Sequence, residues 1–261
     1  MDSKERSLPS TPLPTKMGRE GQPASLASRM TPSNLEVLAY EESPLGMICL
    51  RRRELLTVPV TIVTEITLDH ELLMSSYHTA SEAALSVCAL DRHEGNGLRV
   101  LIGGLGLGYT AHESLRSDRV ASVDVVELLP QVIGWMRDGL VPLSGDLNGD
   151  GRFRVVEADV YAMLAAAPER HFDLILIDVD HSPDERLGER SSGFYTEAGL
   201  QLAKQHLAPG GVLGVWSYAE SSPFVAALRA VFGRVDVEPV FFDNRLTEKT
   251  ETNWLFLALD T

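Results

Sequence analysis

The sequence predicts an α/β protein: a Rossmann-like domain with a mostly parallel sheet and an antiparallel C-terminal strand, preceded by a small β-rich subdomain. Three observations carry this expectation. From Leu98 onward, short apolar runs alternate with amphipathic stretches of helical period. A glycine-rich turn follows the first apolar run, and acidic residues close the next three. Hydrophobic residues make up 44% of the chain and charged residues 23%, enough apolar surface for a sizeable core.

Met1 to Ser33 is rich in Ser, Pro, Thr and Lys/Arg without apolar periodicity, and residues 1–33 read as a disordered tail. Residues 34–91 read as a β-hairpin or meander subdomain with a lead-in helix. Within it, LEVLAYEESPLGMICLRRRE turns at Ser43-Pro44-Leu45-Gly46, and VPVTIVTEITLDHELLMS continues with β-branched residues. Ala80, Ala83, Ala84, Val87 and Leu90 then recur at helical spacing, and His93 to Gly97 reads as a hinge. Residues 98–261 hold the Rossmann-like unit. RVLIGG, SVDVVEL, FRVVEAD, FDLILIDVD, GVLGVWS, VDVEPVFF and NWLFLAL are its expected strands. YTAHESL, PQVIGWMRDGL, VYAMLAAA, TEAGLQLAKQHL and SPFVAALRAVF are its helices. The last two strands are joined without a helix, which predicts a closing antiparallel hairpin at the sheet edge.

The formal charge is −14, and residues beyond the basic tail carry about −16, a balance that repels a phosphate backbone and excludes nucleic acid as the expected partner. A cationic small molecule is the complementary choice. No run approaches the roughly 18 apolar residues of a membrane span, so no membrane partner is expected. Cys49 and Cys88 are too few for a disulfide framework and suit a cytoplasmic protein.

The first strand leads into Gly103-Gly104-Leu105-Gly106-Leu107-Gly108, where glycines let the backbone turn tightly beneath a ligand and the next helix supplies its positive end. Glu127 ends the second strand about 20 residues on, where a carboxylate accepts from ribose hydroxyls. Asp159 ends the third strand, within reach of an adenine amino group, and Asp178-Val179-Asp180 ends the fourth. Each acid alone is equally suited to a helix cap or turn. Jointly they mark one crevice for an adenosyl ligand, where S-adenosylmethionine or its decarboxylated form and a dinucleotide would all use the Glu127 carboxylate.

The segments LIGGLGLGYT, VDVVELLPQVI, FRVVEADV, FDLILIDVDHSPD and FYTEAGLQLAKQHLAPGGVLGVWS resemble the class I S-adenosylmethionine-dependent methyltransferase-like proteins. Among these the chain is most similar to the spermidine synthases, or polyamine aminopropyltransferases, over roughly Leu35 to Thr261. The resemblance implies that Gly104, Gly106 and Gly108 shape the cofactor loop, Glu127 holds ribose, and Asp159 with Val160 meets adenine. It further implies Asp178 as the acid/base residue, a small amine such as putrescine as partner, a homodimer, and no metal. Aligned on Thr110, Leu107 stands where the family carries an aspartate that holds the amino end of the ligand. Tyr77-His78-Thr79 echoes a Tyr-His-Glu segment, and His181 replaces an acid. Asp180, Tyr195 and His78 are the candidates to line an altered substrate site. Three functions stay open: aminopropyl transfer, small-molecule methylation on the same fold, and non-catalytic adenosyl-nucleoside binding.

Asp146-Leu147-Asn148-Gly149-Asp150-Gly151, with Glu157, also satisfies an EF-hand loop pattern. The alternation from Phe153 to Glu157 demands a strand where an EF-hand needs a helix, so the run is expected to be an Asn-Gly and Asp-Gly turn without calcium.

Overall fold

A computed structural model of the chain describes residues 34–57, 59–179, 182–184, 193–244 and 246–260. Four antiparallel strands come first: β1 (Leu35–Ser43), β2 (Gly46–Leu55), β3 (Thr61–Leu68) and β4 (Glu71–Ser75), side by side in that order. The β1–β2 turn falls at the anticipated Ser43–Gly46, whose Ser43 hydroxyl donates to the Gly46 carbonyl at 2.7 Å. Glu65 on β3 is buried between the Arg51 and Arg53 guanidinium groups of β2, each 2.8 Å away, so its charge is matched where water is absent.

Helix α1 (Ala80–Asp91) links this sheet to the main one. Its buried stripe is Ser81, Glu82, Leu85, Ser86, Ala89 and Leu90. Of the face read from the sequence, Leu90 is buried and Ala84 packs against the core, but Val87 is 40% exposed, whereas Leu85, outside that face, is fully buried. Alanines fit either face of a helix, and only packing decides between them. After α1, the Arg119 guanidinium donates to the carbonyls of Leu90, His93 and Gly95, tying down the stretch expected as a hinge.

The main sheet has seven strands: β5 (Leu98–Gly103), β6 (Val120–Glu127), β7 (Phe153–Glu157), β8 (Phe172–Ile177), β9 (Leu207–Ser217), β10 (Arg234–Asn244) and β11 (Lys249–Leu259). Their order is β10-β11-β9-β8-β5-β6-β7, with β5 to β9 mutually parallel and β11 antiparallel to both β9 and β10. The helices are α2 (Tyr109–Leu115), α3 (Pro130–Arg137), α4 (Ser144–Gly149), α5 (Val160–Ala165), α6 (Glu197–Lys204) and α7 (Ser222–Val231). Alternate residues of each central strand enter two separate cores: Val100, Ile102, Leu174 and Leu176 on one side, Leu101, Ile175 and Ile177 on the other. Apolar residues on both strand faces are what a parallel sheet covered twice requires.

The closing hairpin is present, but its second strand lies inside and its first at the edge. Helix α4 is a correction: Ser144–Gly149 is helical where the sequence suggests a turn. Burial of Leu147, only 1% exposed, against the glycine loop outweighs local turn preference. Asp150 is taken up by Arg152 at 2.7 Å and Asp146 faces His112 at 3.5 Å.

Replacing Arg119 by Ala strips three carbonyls of their shared donor. Chemical denaturation should show a stability loss of about 1–3 kcal/mol, and Arg119→Lys should recover only part, because an ammonium does not fork across three acceptors.

Candidate active site

Strand order reverses at β5, which has β6 on one side and β8 on the other, and a crevice opens there beyond the strand ends. Two backbone hydrogen bonds tie these ends together: the Asp178 N–H donates to the Gly103 carbonyl and the Gly104 N–H to the Val126 carbonyl, both at 2.9 Å. Gly104 has φ +92°, and a Cβ on it would lie 2.2 Å from the Asp178 carbonyl oxygen, so only glycine passes.

The crevice deepens into a cavity of about 420 Å³. Its walls are the loop at Gly104 to Gly106, the ends of β6 and β7 at Glu127 and Asp159, and Asp178 after β8. Leu72, Leu73 and Met74 of β4 close one side, His78 and Glu82 another, and Phe242, Glu251 and Asn253 of the β10–β11 hairpin a third. The small sheet is fastened over the site from outside, Trp135 Nε1 donating to Glu41 at 2.9 Å and Gln131 Nε2 to the Glu42 carbonyl at 2.7 Å.

On one side of the cavity, Glu127 accepts from the Leu105 N–H at 2.9 Å through Oε2 and from the Leu129 N–H at 2.8 Å through Oε1. Burial pushes its carboxyl above the ordinary range while these backbone donors pull it back. The Leu128 and Gly106 N–H groups also draw on this carboxylate, so backbone donors hold it oriented at the cavity wall. Asp159 caps α5, its Oδ1 accepting from Tyr161 N at 2.9 Å and Ala162 N at 3.2 Å, and it also lines the cavity. The cap and the cavity position thus coincide. Val160, 5% exposed, packs where a Gly103 side chain would otherwise stand.

On the other side, Asp178 Oδ2 accepts from the Thr110 hydroxyl at 2.7 Å, and burial raises the carboxyl to about 6. Glu82 faces it from α1. Burial, and then the charge of Asp178, raise Glu82 to about 7. Tyr109, hydrogen-bonded to Ser76, is raised by burial in the same wall. His78 Nε2 and Trp216 Nε1 are buried on this side without a hydrogen-bond partner, as is the adjoining Tyr77 hydroxyl. Such atoms are ready to meet a polar ligand.

Several residues singled out from the sequence stand elsewhere. Gly108, φ +90°, is not on the cavity wall; a Cβ there would meet Leu147 Cδ1 at 2.5 Å, so its task is to admit α4. Leu107 does not face the cavity either: its side chain is fully buried in the core while its N–H approaches Met74 Sδ at 3.1 Å. The loop residues that face the cavity are Gly104, Leu105 and Gly106, with Met74 Sδ over Gly106. Tyr195 lies one layer behind the wall, its hydroxyl 3.2 Å from that of Tyr161 and its ring edge-on to Phe224. Asp180 and His181 lie outside the described residues. Glu82 was not visible as a site residue in the sequence. Its signal was its spacing from Leu85 and Ala89 on one helical stripe, an acid among core positions.

Gly104→Ala should cost roughly 2 kcal/mol or more in thermal or denaturant unfolding, combining positive-φ strain with the backbone clash. Because Glu82 moves from 4.5 to about 7 and Asp178 from 3.8 to about 6, the folded chain retains protons that the unfolded chain has lost. Stability should therefore fall as pH rises from about 4 to about 7 and level off above. Glu82→Gln should make that decline shallower, giving a higher Tm than the parent above pH 7 and an equal one near pH 4.

Residues 79–243 match the model of the spermine/spermidine synthase domain. Polyamine aminopropyltransferase 2 of Streptomyces coelicolor is 36% identical over 119 residues, which are 45% of this chain and 21% of that protein. Putrescine N-methyltransferase 4 of Nicotiana tabacum is 35% identical over 128 residues, 48% of this chain and 31% of that protein. The matches thus span less than a third of the length of these two relatives. A spermidine synthase crystallised with the transition-state analogue AdoDATO superposes with a TM-score of 0.69 at 22% identity, covering 86% of this chain and 74% of that one, a likeness of fold. The domain match covers more than half of the chain and takes in α1, the glycine loop and the carboxyl ends of β5 to β9, and on that ground the chain belongs to the spermine/spermidine synthase family.

Proposed function

We propose that the chain is an aminopropyltransferase that moves the aminopropyl group of decarboxylated S-adenosylmethionine to a small amine such as putrescine. The observation that carries this reading is Asp178: a buried carboxylate near 6, oriented by Thr110, in the same cavity as Glu127 and Asp159.

The fit to an adenosyl group rests on the cradle at Gly104 and Gly106, which side chains would fill, and on the Glu127 carboxylate that backbone donors orient at the cavity wall. Glu127 would hold the ribose and Asp159 with Val160 the adenine. The bound sulfonium supplies an electrophilic methylene, to which the amine nitrogen bonds as the carbon–sulfur bond breaks and methylthioadenosine leaves. Asp178 has two tasks. As carboxylate it draws the cationic amine into a poorly hydrated cavity, and it accepts the proton that the nitrogen sheds. A pKa near 6 leaves it mostly ionised at neutral pH yet still a competent acceptor. Leu72, Leu73 and Met74 exclude water and suit the methylenes of the amine chain. His78 and Trp216 would direct their unpartnered nitrogens to the ligand.

The similarity to putrescine N-methyltransferase supports a second reading, methyl transfer from S-adenosylmethionine on the same fold. Two free cysteines and the net charge of −14 support a cytoplasmic protein acting on cationic small molecules.

Incubation with each donor and putrescine, read by mass spectrometry, tests the proposal. Methylthioadenosine is expected, and adenosylhomocysteine would establish the second reading instead. Asp178→Asn should lower kcat at least 100-fold with nucleoside affinity within a few-fold, and Glu127→Ala should weaken methylthioadenosine binding by about 10- to 100-fold. The kcat/KM for the amine should rise with pH through about 6, as Asp178 ionises.

A further inference from the structure

The carboxylates around the cavity differ in how their charge is matched. Both Glu127 oxygens accept from backbone N–H groups, Asp159 is occupied as a helix cap, and Glu251 accepts from Asn244 at 2.9 Å and Thr247 at 3.1 Å. Among the described residues Glu82 has only the Ser81 hydroxyl, at 2.8 Å, and its own backbone N–H. The Ser81 oxygen in turn accepts from Asn253 Nδ2 at 2.8 Å, so Glu82 is fixed in place from behind. It is 8% exposed, lines the cavity, and interacts with Asp178 across it.

No Lys, Arg or His forms an ion pair with Glu82 or Asp178 among the described residues. The other ionisable groups in the surrounding walls, among the described residues, are His78 before α1, Tyr109 on α2, Glu127 on β6, Asp159 after β7, Tyr161 on α5 and Glu251 on β11. None of them is a permanent cation. Nor does the glycine loop contribute an acid, since Gly106 faces the cavity and Leu107 is in the core. Two facing carboxylates in a weakly hydrated space repel each other, and without a cation they retain a proton between them. A ligand ammonium removes the need for it.

We propose that Glu82 and Asp178 together form the ammonium site of this cavity, and that the pair releases its proton when a cationic amine enters. Glu82 is the specificity element of the pair: it binds the positive nitrogen, while Asp178 also serves the transfer. This assignment rests on the proposed action on a small amine and adds to it the group that recognises the charge. Amine affinity then rises with pH up to about 7, the point at which Glu82 is ionised without help.

Isothermal titration of the full chain with putrescine, in the presence of methylthioadenosine and in buffers of different ionisation enthalpy, reads the proton directly. At pH 6.5 the parent should release between about half a proton and one proton per amine bound, falling towards zero at pH 8.5. Glu82→Gln should lose most of this release and weaken putrescine at least 10-fold, with methylthioadenosine affinity unchanged. A proton lost by the amine itself would persist in Glu82→Gln. Glu82→Asp keeps the charge and should keep the release, with weaker binding, and it serves as the second variant if the glutamine protein is unstable. No release from the parent, equal release from Glu82→Gln, or binding of n-butanol as tight as that of n-butylamine would overturn the proposal. Turnover with normal release in Glu82→Gln would sink this assignment and leave aminopropyl transfer intact. Glu82-dependent release without turnover would do the reverse.

Discussion

The arrangement depends on a backbone pinch at the centre of the main sheet. The chain leaves β5 through Gly103 and Gly104, and at that point it touches the ends of both neighbours, bonding to Val126 and accepting from Asp178. Without a side chain at Gly104, the Asp178 carbonyl can press against the loop. This contact fixes where the acid after β8 stands relative to the acid after β6. It also sets the mouth of the cavity, because the parallel strands all point their carboxyl ends the same way.

Around that pinch the protein buries several carboxylates and treats them unequally. Glu127 is held by peptide N–H groups, which orient it and offset part of the cost of burying its charge. Asp178 and Glu82 have little beyond a hydroxyl each, so their charge costs stability until a cation arrives. The difference divides one cavity into the side proposed for the nucleoside and the side proposed for the amine. What makes the division effective is the exclusion of water by β4 and the β10–β11 hairpin, elements far apart in sequence from the glycine loop.

Much of this was legible in the residues. The alternation of apolar runs and amphipathic stretches located the seven strands of the main sheet, and the turn at Ser43–Gly46 located the first hairpin. Gly104, Gly106, Glu127, Asp159 and Asp178 were found from position, Val160 and His78 from the family resemblance, and all of them line one cavity. These residues are readable because each sits at a strand end, and the strand period fixes both the end and its direction.

Where a side chain points after the backbone leaves a regular element follows no such period. Leu107 and Gly108 are neighbours of Gly106 in sequence, yet one fills the core and the other admits α4, while only Gly106 faces the cavity. Tyr195 is drawn behind the wall by aromatic packing, and α4 forms because Leu147 has a place to be buried. Glu82 is the clearest case. As a sequence feature it is an acid in a helix rich in alanine, equally suited to solvent. The sequence by itself determined the sheet, its connections and the strand-end acids that line the cavity, since those follow from local period and strand direction. The tertiary structure alone decided that Glu82 meets Asp178, because which face of α1 is buried depends on long-range packing that no local pattern encodes.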